Sequence, residues 1–440
     1  MDQKPPGVFW VYRLALDLPF APVSSIHFMG LLFGATAAVA VFFVARRFTG
    51  LPWATITACL FAILSVDPLV EGTTANTELF MLLPLVLSQW AFLSLSPSNR
   101  GRNIQLMILA GILTGCAMAF KQVAAVNWFF LAAICPVYFE RENRLRNTLS
   151  FAALSAAGVG FVWAGIAVYF LLHHGFSDFI DNVFTHNLEY VQTVPWPTRL
   201  MYFTHTLTIL LRTQGLIWLF SMIGLAALLF NGQIRRLLFL AGWLATSLVG
   251  VSASGYYFPH YFQQILPLLA ILAGLGAEAL FSAPLWKGVP YLCRGTVMIT
   301  ALFILPVMML CPFIFIYSPP ESVSRIYPGD FFAEMPEVGK HIAQITNPAD
   351  RVFVFGAESE LLFYSQRVSA TRYIFLFPLY GPYRDAREKQ LATSREITLN
   401  RPKVIAWLPN QLFFAPDTEQ FFTQWAQSYL HDNFHNDTLL

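Results

Sequence analysis

Long apolar runs, separated by short polar, basic or proline-containing connections, dominate the first three quarters of the chain. Runs long enough, or nearly so, to cross a ~30 Å hydrocarbon layer recur at 26–45, 51–68, 78–95, 104–120, 122–139, 148–172, 213–231, 237–254, 262–281 and 295–317. In lipid a helix satisfies every backbone group within its own segment, so these ten spans are predicted as helices rather than strands. The pair within 104–139 turns very tightly, at Lys121-Gln122. Segment 8–20 is apolar but too short to span; it carries Arg13 and Asp17 at i,i+4 spacing and reads as an interfacial helix. Residues 173–203 are far longer than a minimal helix connection. Within them Phe176, Phe179, Ile180, Phe184 and Leu188 fall at helical spacing, which predicts an amphipathic helix lying on the outer leaflet.

After Tyr317 the texture changes. Short β-type runs (351–355, 370–375, 403–408) alternate with helix-like stretches (330–346, 383–397, 417–431), the pattern of a small α/β domain. The predicted fold class is therefore mainly α: a polytopic transmembrane bundle over 1–317, with external interfacial segments 1–25 and 173–203, followed by a C-terminal extracytoplasmic α/β domain over 318–440. No internal repeat is visible.

Composition narrows the class. Of 440 residues, 56% are hydrophobic, 12% are charged and 42 are Phe; the mean hydropathy is +0.55. That is about half the usual share of charge, too little to coat a soluble surface. The formal net charge of +2 gives no basic surface for nucleic acid. An ordinary cytosolic enzyme, a disordered tail and a nucleic-acid binder are excluded. Cys59, Cys116, Cys135 and Cys311 fall inside apolar runs and Cys293 in a short basic loop, none at metal-ligand spacing; they read as small core hydrophobes.

Orientation follows from the basic loops. Arg46, Arg47, Arg100, Arg102, Arg141, Arg144, Arg146, Arg235, Arg236, Lys287 and Arg294 fall in one set of connections. The other set, before the tail, holds Lys4, Arg13, Lys121, Arg199 and, ambiguously, Arg212. The richer set is predicted to be cytoplasmic, and ten crossings then place both termini outside. An external start with these charges is awkward to translocate, and predicts a further helix upstream of Met1.

Candidate chemistry gathers on the external side. It comprises Asp2-Gln-Lys4-Pro5-Pro6, the loop Glu71-Gly-Thr-Thr-Ala-Asn76-Thr-Glu78, the Lys121-Gln122 turn, and Tyr256-Tyr257-Phe258-Pro259-His260-Tyr261. Each has a plainer reading: a solvated terminal charge, a helix N-terminal carboxylate, a snorkelling lysine, an aromatic belt. Glu278 reads as structural. Taken together they suit a lipid phosphate at the headgroup plane. Lysines there would hold it and stabilise its departure from a sugar carbon, and a carboxylate would deprotonate an acceptor hydroxyl.

The same residues carry a resemblance. Asp2-Gln3-Lys4-Pro5-Pro6-Gly7 with Phe9-Trp10, Asn76-Thr77-Glu78-Leu79-Phe80-Met81, Phe120-Lys121-Gln122, and Pro259-His260-Tyr261 with Leu266-Pro267 resemble, in order, segments of membrane glycosyltransferases of the GT-C fold. The branch is glycosyltransferase family 39, which includes dolichyl-phosphate-mannose–protein mannosyltransferases and bacterial aminoarabinose transferases. The tail stretch 351–356, with Tyr364, is similar to the terminal domain of bacterial members. The resemblance implies a polyprenyl-phosphate-sugar donor, a protein, lipid or glycan acceptor, and transfer on the external face with inversion at the anomeric carbon. It implies donor-phosphate contacts from Lys4, Lys121 and His260. The catalytic candidates left in this chain are Glu78, a second acidic site that would orient the acceptor or help bind a metal, and Asp2, which is close to the lysine but not at the family's catalytic position; substrate contacts are expected from Glu71, Asn76, Gln122, Tyr256, Tyr257 and Tyr261. The cytoplasmic (inner) membrane of a bacterium is the expected location, given the resemblance to bacterial transferases. A divalent cation is a further expectation, with no ligand set. The family's first transmembrane helix and first-loop acidic pair lie upstream of the "KPP" segment, and this chain begins there. A shortened chain and a diverged, inactive member are both compatible with that start. Two other classes stay open: a transporter or flippase for a lipid or small solute, and a non-enzymatic envelope protein. Charges gathered at one face, with no visible halves, disfavour the transporter.

Overall fold

A computed structural model of the chain describes residues 3–96, 99–139, 141–380, 383–408 and 421–435. In chain order it begins with α1 (Gly7–Ala15), α2 (Pro22–Ala45), α3 (Leu51–Leu64), α4 (Thr77–Leu93), α5 (Arg100–Phe120), α6 (Ala125–Tyr138) and α7 (Arg144–Leu172). A short α8 (Phe176–Ile180) and α9 (His186–Tyr190) are joined by one π-helical turn at Asp181–Thr185. Then come α10 (Trp196–Phe230), α11 (Ile234–Ser252), α12 (Leu266–Phe281) and α13 (Tyr291–Phe315). The rest of the chain holds α14 (Pro319–Ile326), α15 (Met335–Ile345), β1 (Arg351–Phe355), α16 (Glu360–Ser365), β2 (Val368–Ser369), α17 (Ala386–Asn400), β3 (Val404–Trp407) and α18 (Phe421–Asn433).

The chain divides into two compact units. The larger comprises Lys4–Ser177 and Val194–Ile316 and is entirely helical; the smaller comprises Met1–Gln3, Asp178–Thr193 and Tyr317–Leu440. Among the described residues seven helices, α2, α5, α7, α10, α11, α13 and α12 with the 3-10 segment before it, are long and apolar enough to cross a membrane, and three shorter apolar ones accompany them. The chain is a multi-pass membrane protein.

Most of these helices are apolar all round, so their packing is decided by which side meets protein and which meets lipid. The central one is α12: 78% of its most apolar window is buried, against 17% for α13. Leu31, Val39 and Phe43 on α2, Phe161 and Leu172 on α7, and Leu219 and Met222 on α10 point outward, where hydrocarbon solvates them. Two helix crossings are closed by small residues. Gly224 and Gly276 bring the backbones of α10 and α12 together, and Gly111, Gly158 and Ser155 do so for α5 and α7; a Cβ at any of these glycines would collide with a facing carbonyl or amide. Without a hydrophobic force between helices in lipid, such close contact supplies the attraction.

Several expectations change in detail. Segment 8–20 becomes α1, whose Val8 and Val11 join a cluster with Phe80, Met81 and Phe120, because a short apolar helix with two bulky neighbours buries one face in protein. The span expected at 213–231 is the second half of α10, which starts already at Trp196; its 35 residues reach about 52 Å at 1.5 Å per residue. Arg212 is exposed near its midpoint. Cys59 and Cys293 are exposed rather than core, with Cys293 inside the first turn of α13; a small thiol faces lipid as readily as protein.

In the smaller unit, three parallel strands are ordered β2-β1-β3. Phe353 and Phe355 of β1 pack with Tyr380, Ile397 and Phe422 on one face, and Val352 and Val354 with Met335, Ile342 and Leu361 on the other, the period-2 division of a strand buried on both sides. The run 370–375, expected as a strand, pairs only at Val368–Ser369 and Ala370 before leaving the sheet. Helix α16 was not foreseen. Of the amphipathic face expected at 176–190, Phe179 is buried, while Ile180, Phe184 and Leu188 stay exposed.

Candidate functional site

The site is built where the loop before α4 meets the α5–α6 turn and the 3-10 segment Pro259–Ile265 that leads into α12. Asp67 starts the loop. Its carboxylate accepts hydrogen bonds from the Leu69 amide (2.9 Å), the Thr213 hydroxyl (2.9 Å) and the Gln214 amide (3.3 Å), so one buried acid fastens the loop to α10. The Gly72 amide donates back to the Asp67 carbonyl at 3.0 Å, which places Glu71 in the left-handed region at φ 53°. Gly72 lies against the Ser65 backbone with no room for a side chain. The Gln263 side-chain amide donates to the Val70 carbonyl at 3.0 Å and ties the same turn to the segment before α12.

Two side-chain pairs result. Glu71 Oε2 lies 2.9 Å from His260 Nδ1. Glu78, in the first turn of α4 beneath the Asn76 N-cap, is ion-paired with Lys121 and accepts a hydrogen bond from the Thr77 hydroxyl at 2.7 Å. The Lys121 ammonium also sits 3.5 Å from the centre of the Tyr261 ring, a cation–π contact that costs little desolvation. Both ends of the Glu78–Lys121 pair are anchored from below. Phe80, two residues after Glu78, and Phe120, just before Lys121, stack at 5.9 Å and both meet Phe33. A buried ion pair needs such fixed geometry to offset the loss of water.

The residues singled out from the sequence fare as follows. Glu71, Glu78, Lys121, His260 and Tyr261 come together. Lys4 is exposed and precedes Pro5-Pro6 and α1, whose Gly7 lies against the Ala119 carbonyl two residues before Lys121. Gln122 is half-buried beside Lys121, opening a 3-10 turn. Asn76 spends its side-chain oxygen on the Leu79 amide (3.3 Å). Tyr256 lies parallel to Phe258 at 5.6 Å, and Phe258 to His260 at 5.7 Å, so a run of rings backs the histidine. Tyr257, at φ 51°, turns into the helical core against Phe203. Asp2 lies outside the described residues. Glu278 is remote from the group and hydrogen-bonds the Thr49 hydroxyl. Among the described residues no three His, Cys, Asp or Glu side chains form a grouping that could hold a metal ion; the two carboxylates nearest the centre are committed to Lys121 and His260.

Sequence reasoning missed Asp67 and Gln263. Asp67 was absorbed into the apolar run 51–68. A carboxylate inside such a run is costly unless it has a task, and that was the available signal.

The architecture, a helical membrane body with ionisable groups gathered at one end, is similar in fold to several solved membrane-protein structures. A family model described as dolichyl-phosphate-mannose-protein mannosyltransferase matches residues 3–169, a stretch that contains Lys4, Glu71, Glu78 and Lys121. The chain is similar to ArnT from Cupriavidus metallidurans bound to undecaprenyl phosphate, with a TM-score of 0.65 at 14% identity over 100% of this chain and 86% of that one. It is similar to the apo state of the same protein, with a TM-score of 0.61 at 14% identity over 92% and 79%. It also resembles the archaeal oligosaccharyltransferase AglB from Archaeoglobus fulgidus in complex with an inhibitory peptide and a dolichol-phosphate, with a TM-score of 0.56 at 15% identity over 98% of this chain and 61% of that one. No curated protein sequence matches the chain.

Proposed function

We propose that the chain is a glycosyltransferase that moves a sugar from a polyprenyl-phosphate donor to an acceptor at the external face of the cytoplasmic membrane. The observation that carries this reading is the convergence of Lys121, Glu78, His260 and Glu71 from three separate parts of the helical unit. The site-bearing family match and the likeness to a protein bound to undecaprenyl phosphate support it.

The reaction is a displacement at the anomeric carbon. The acceptor's nucleophilic atom forms a bond to that carbon, and the bond to the phosphate oxygen breaks with its electrons going to the phosphate. Lys121 has ammonium protons beyond the one given to Glu78, and a cation so placed stabilises the departing phosphate. Lys4, exposed just before the Pro5-Pro6 lead into α1, is a second candidate cation for the phosphate. Glu78 holds Lys121 in position rather than accepting a proton, because its anionic form is already engaged by Lys121 and Thr77. With Nδ1 donating to Glu71, His260 keeps the Nε2 lone pair as the available base for the acceptor's proton.

The test is incubation of the purified chain in lipid nanodiscs with labelled polyprenyl-phosphate sugars and a panel of protein, lipid and glycan acceptors. Label should move to one acceptor class with release of polyprenyl phosphate, and Lys121→Met should lower the transfer about 100-fold. Hydrolysis-free donor that binds but never transfers to any acceptor would overturn the reading.

A further inference from the structure

The opposite end of the helical unit holds a second polar feature that the proposed transfer does not use. A cavity of about 500 Å³ lies among the α2–α3 turn, the ends of α10 and α12 and the start of α11. It is separated from His260 by the length of α12, whose 16 residues rise about 24 Å. Its floor is apolar, made by Gly224, Leu228 and Leu275. Its rim carries Arg46, Arg47 and Arg236 against the single carboxylate Glu278.

Basic residues at cytoplasmic loops are ordinary in a multi-pass protein, and alone they point to no ligand. Here they are organised around a hollow. Arg47 donates to the Ser94 hydroxyl at 2.6 Å, Arg46 to the Thr49 carbonyl at 3.1 Å and Arg236 to the Phe48 carbonyl at 3.2 Å, so each guanidinium is tethered by one edge and keeps further donors. Glu278 is occupied by the Thr49 hydroxyl and by no arginine hydrogen bond. Two helices begin at the rim, α3 after Gly50 and α11 after Gln233, and neither first turn is capped by a side chain. Amide donors and the positive ends of two helix dipoles are thereby added to three cations. A hollow of this size, with an apolar floor and a cationic rim, fits a phosphate group attached to something apolar or small.

We propose that this cavity is a binding site for a phosphate-bearing ligand, held by Arg46, Arg47 and Arg236 and separate from the sugar-transfer site. The same chemistry is offered by the headgroup of an anionic phospholipid and by a soluble phosphate, and two arms of one experiment distinguish them. The full chain is titrated in one arm with short-chain phosphatidylglycerol against phosphatidylcholine, and in the other with inorganic pyrophosphate, with native mass spectrometry and thermal shift as readouts. Saturable binding is expected in at least one arm and should weaken with salt. Arg46→Gln/Arg236→Gln should weaken it at least tenfold and Glu278→Gln should strengthen it. Ala279→Phe fills the hollow while leaving every charge in place, and should abolish the same binding. Absence of saturable binding in both arms overturns the proposal. So does binding that survives Ala279→Phe, which would mark mere surface attraction. Sugar transfer at the other end is measured in parallel and is expected to persist in Ala279→Phe.

Discussion

Glu78 and Lys121, 43 residues apart in sequence, are ion-paired where α4 begins and α5 ends, with the carboxylate 2% exposed and the ammonium 22%. The pair gives a fixed cation at one end of the helical unit, which a freely solvated lysine does not supply. Removing one partner leaves the other charge buried. Lys121→Met should cost about 3 kcal/mol of stability, and Glu78→Gln/Lys121→Met should recover most of that loss. Transfer should fall about 100-fold in Lys121→Met and remain low in the double variant, because the missing cation is what the departing phosphate needs. Denaturation and turnover measured on the same samples separate the two effects.

The Glu71–His260 contact assigns unequal roles. His260→Ala should lower turnover about 100-fold, the lower range for loss of a general base. Glu71→Gln, which still accepts a hydrogen bond, should lower it only about tenfold. Equal turnover for His260→Ala and the wild type would remove the base from this proposal.

Asp67 acts through the loop it fastens. Asp67→Ala orphans three donors and should cost about 2 kcal/mol, with KM for the donor rising more than kcat falls as Glu71 loses its placement. Asp67→Asn retains one acceptor oxygen and should rescue part of the KM effect, whereas a loss confined to kcat would contradict a positioning role.

The smaller unit contains two groups whose protonation opposes one another. Burial, then the Lys389 cation, hold His186 down at about 4 from 6.5. Burial, then the Glu358 and Asp330 carboxylates, push Glu360 up to about 7 from 4.5 against a backbone hydrogen bond. Between about 4 and 6.5 the unfolded histidine binds a proton that the folded one does not, so this group makes stability fall as pH falls. Between about 4.5 and 7 the folded Glu360 binds a proton that the unfolded one does not, so this group makes stability fall as pH rises. Glu360→Gln should therefore leave a unit that loses stability on acidification below about 6.5. His186→Phe should leave one that loses stability on going from about 4.5 to 7. Hydrogen-exchange protection of β1 and β3 in the full chain, corrected for intrinsic exchange, reads both slopes.

The glycine crossings set a steric limit. Gly276→Val pushes a branched side chain into the backbone of α10, and Gly111→Val does the same between α5 and α7. Each should cost more than about 3 kcal/mol, at or beyond the upper range for overpacking, and lower the yield of folded protein. Gly295→Val, on α13 with open space around it, is the matched control and should be neutral.

What the sequence determined by itself is the medium and the elements that the medium demands. Lipid imposes a local condition, enough apolar residues to cover a helix of sufficient length, and a local condition can be read from consecutive residues. Hence helices at the apolar runs, the change of texture after Tyr317 and the tight turn at Lys121 were all legible. Strands of the tail were legible at 351–355 and 403–408, which form β1 and β3; the brief pairing at Val368–Ser369 had no such pattern. Candidate residues such as Glu71, Glu78, Lys121 and His260 were visible because charge near an apolar run is rare. Their pairings were not, because Glu71 and His260 are 189 residues apart and only the packing of α4, α5 and α12 brings them to one place. Asp67 was hidden because its three donors come from its own turn and from α10, and nothing in sequence links residue 67 to residue 213. The arginine-rimmed hollow is the same kind of fact: loop composition announced the charges, and the tertiary arrangement of five helix ends made the space between them.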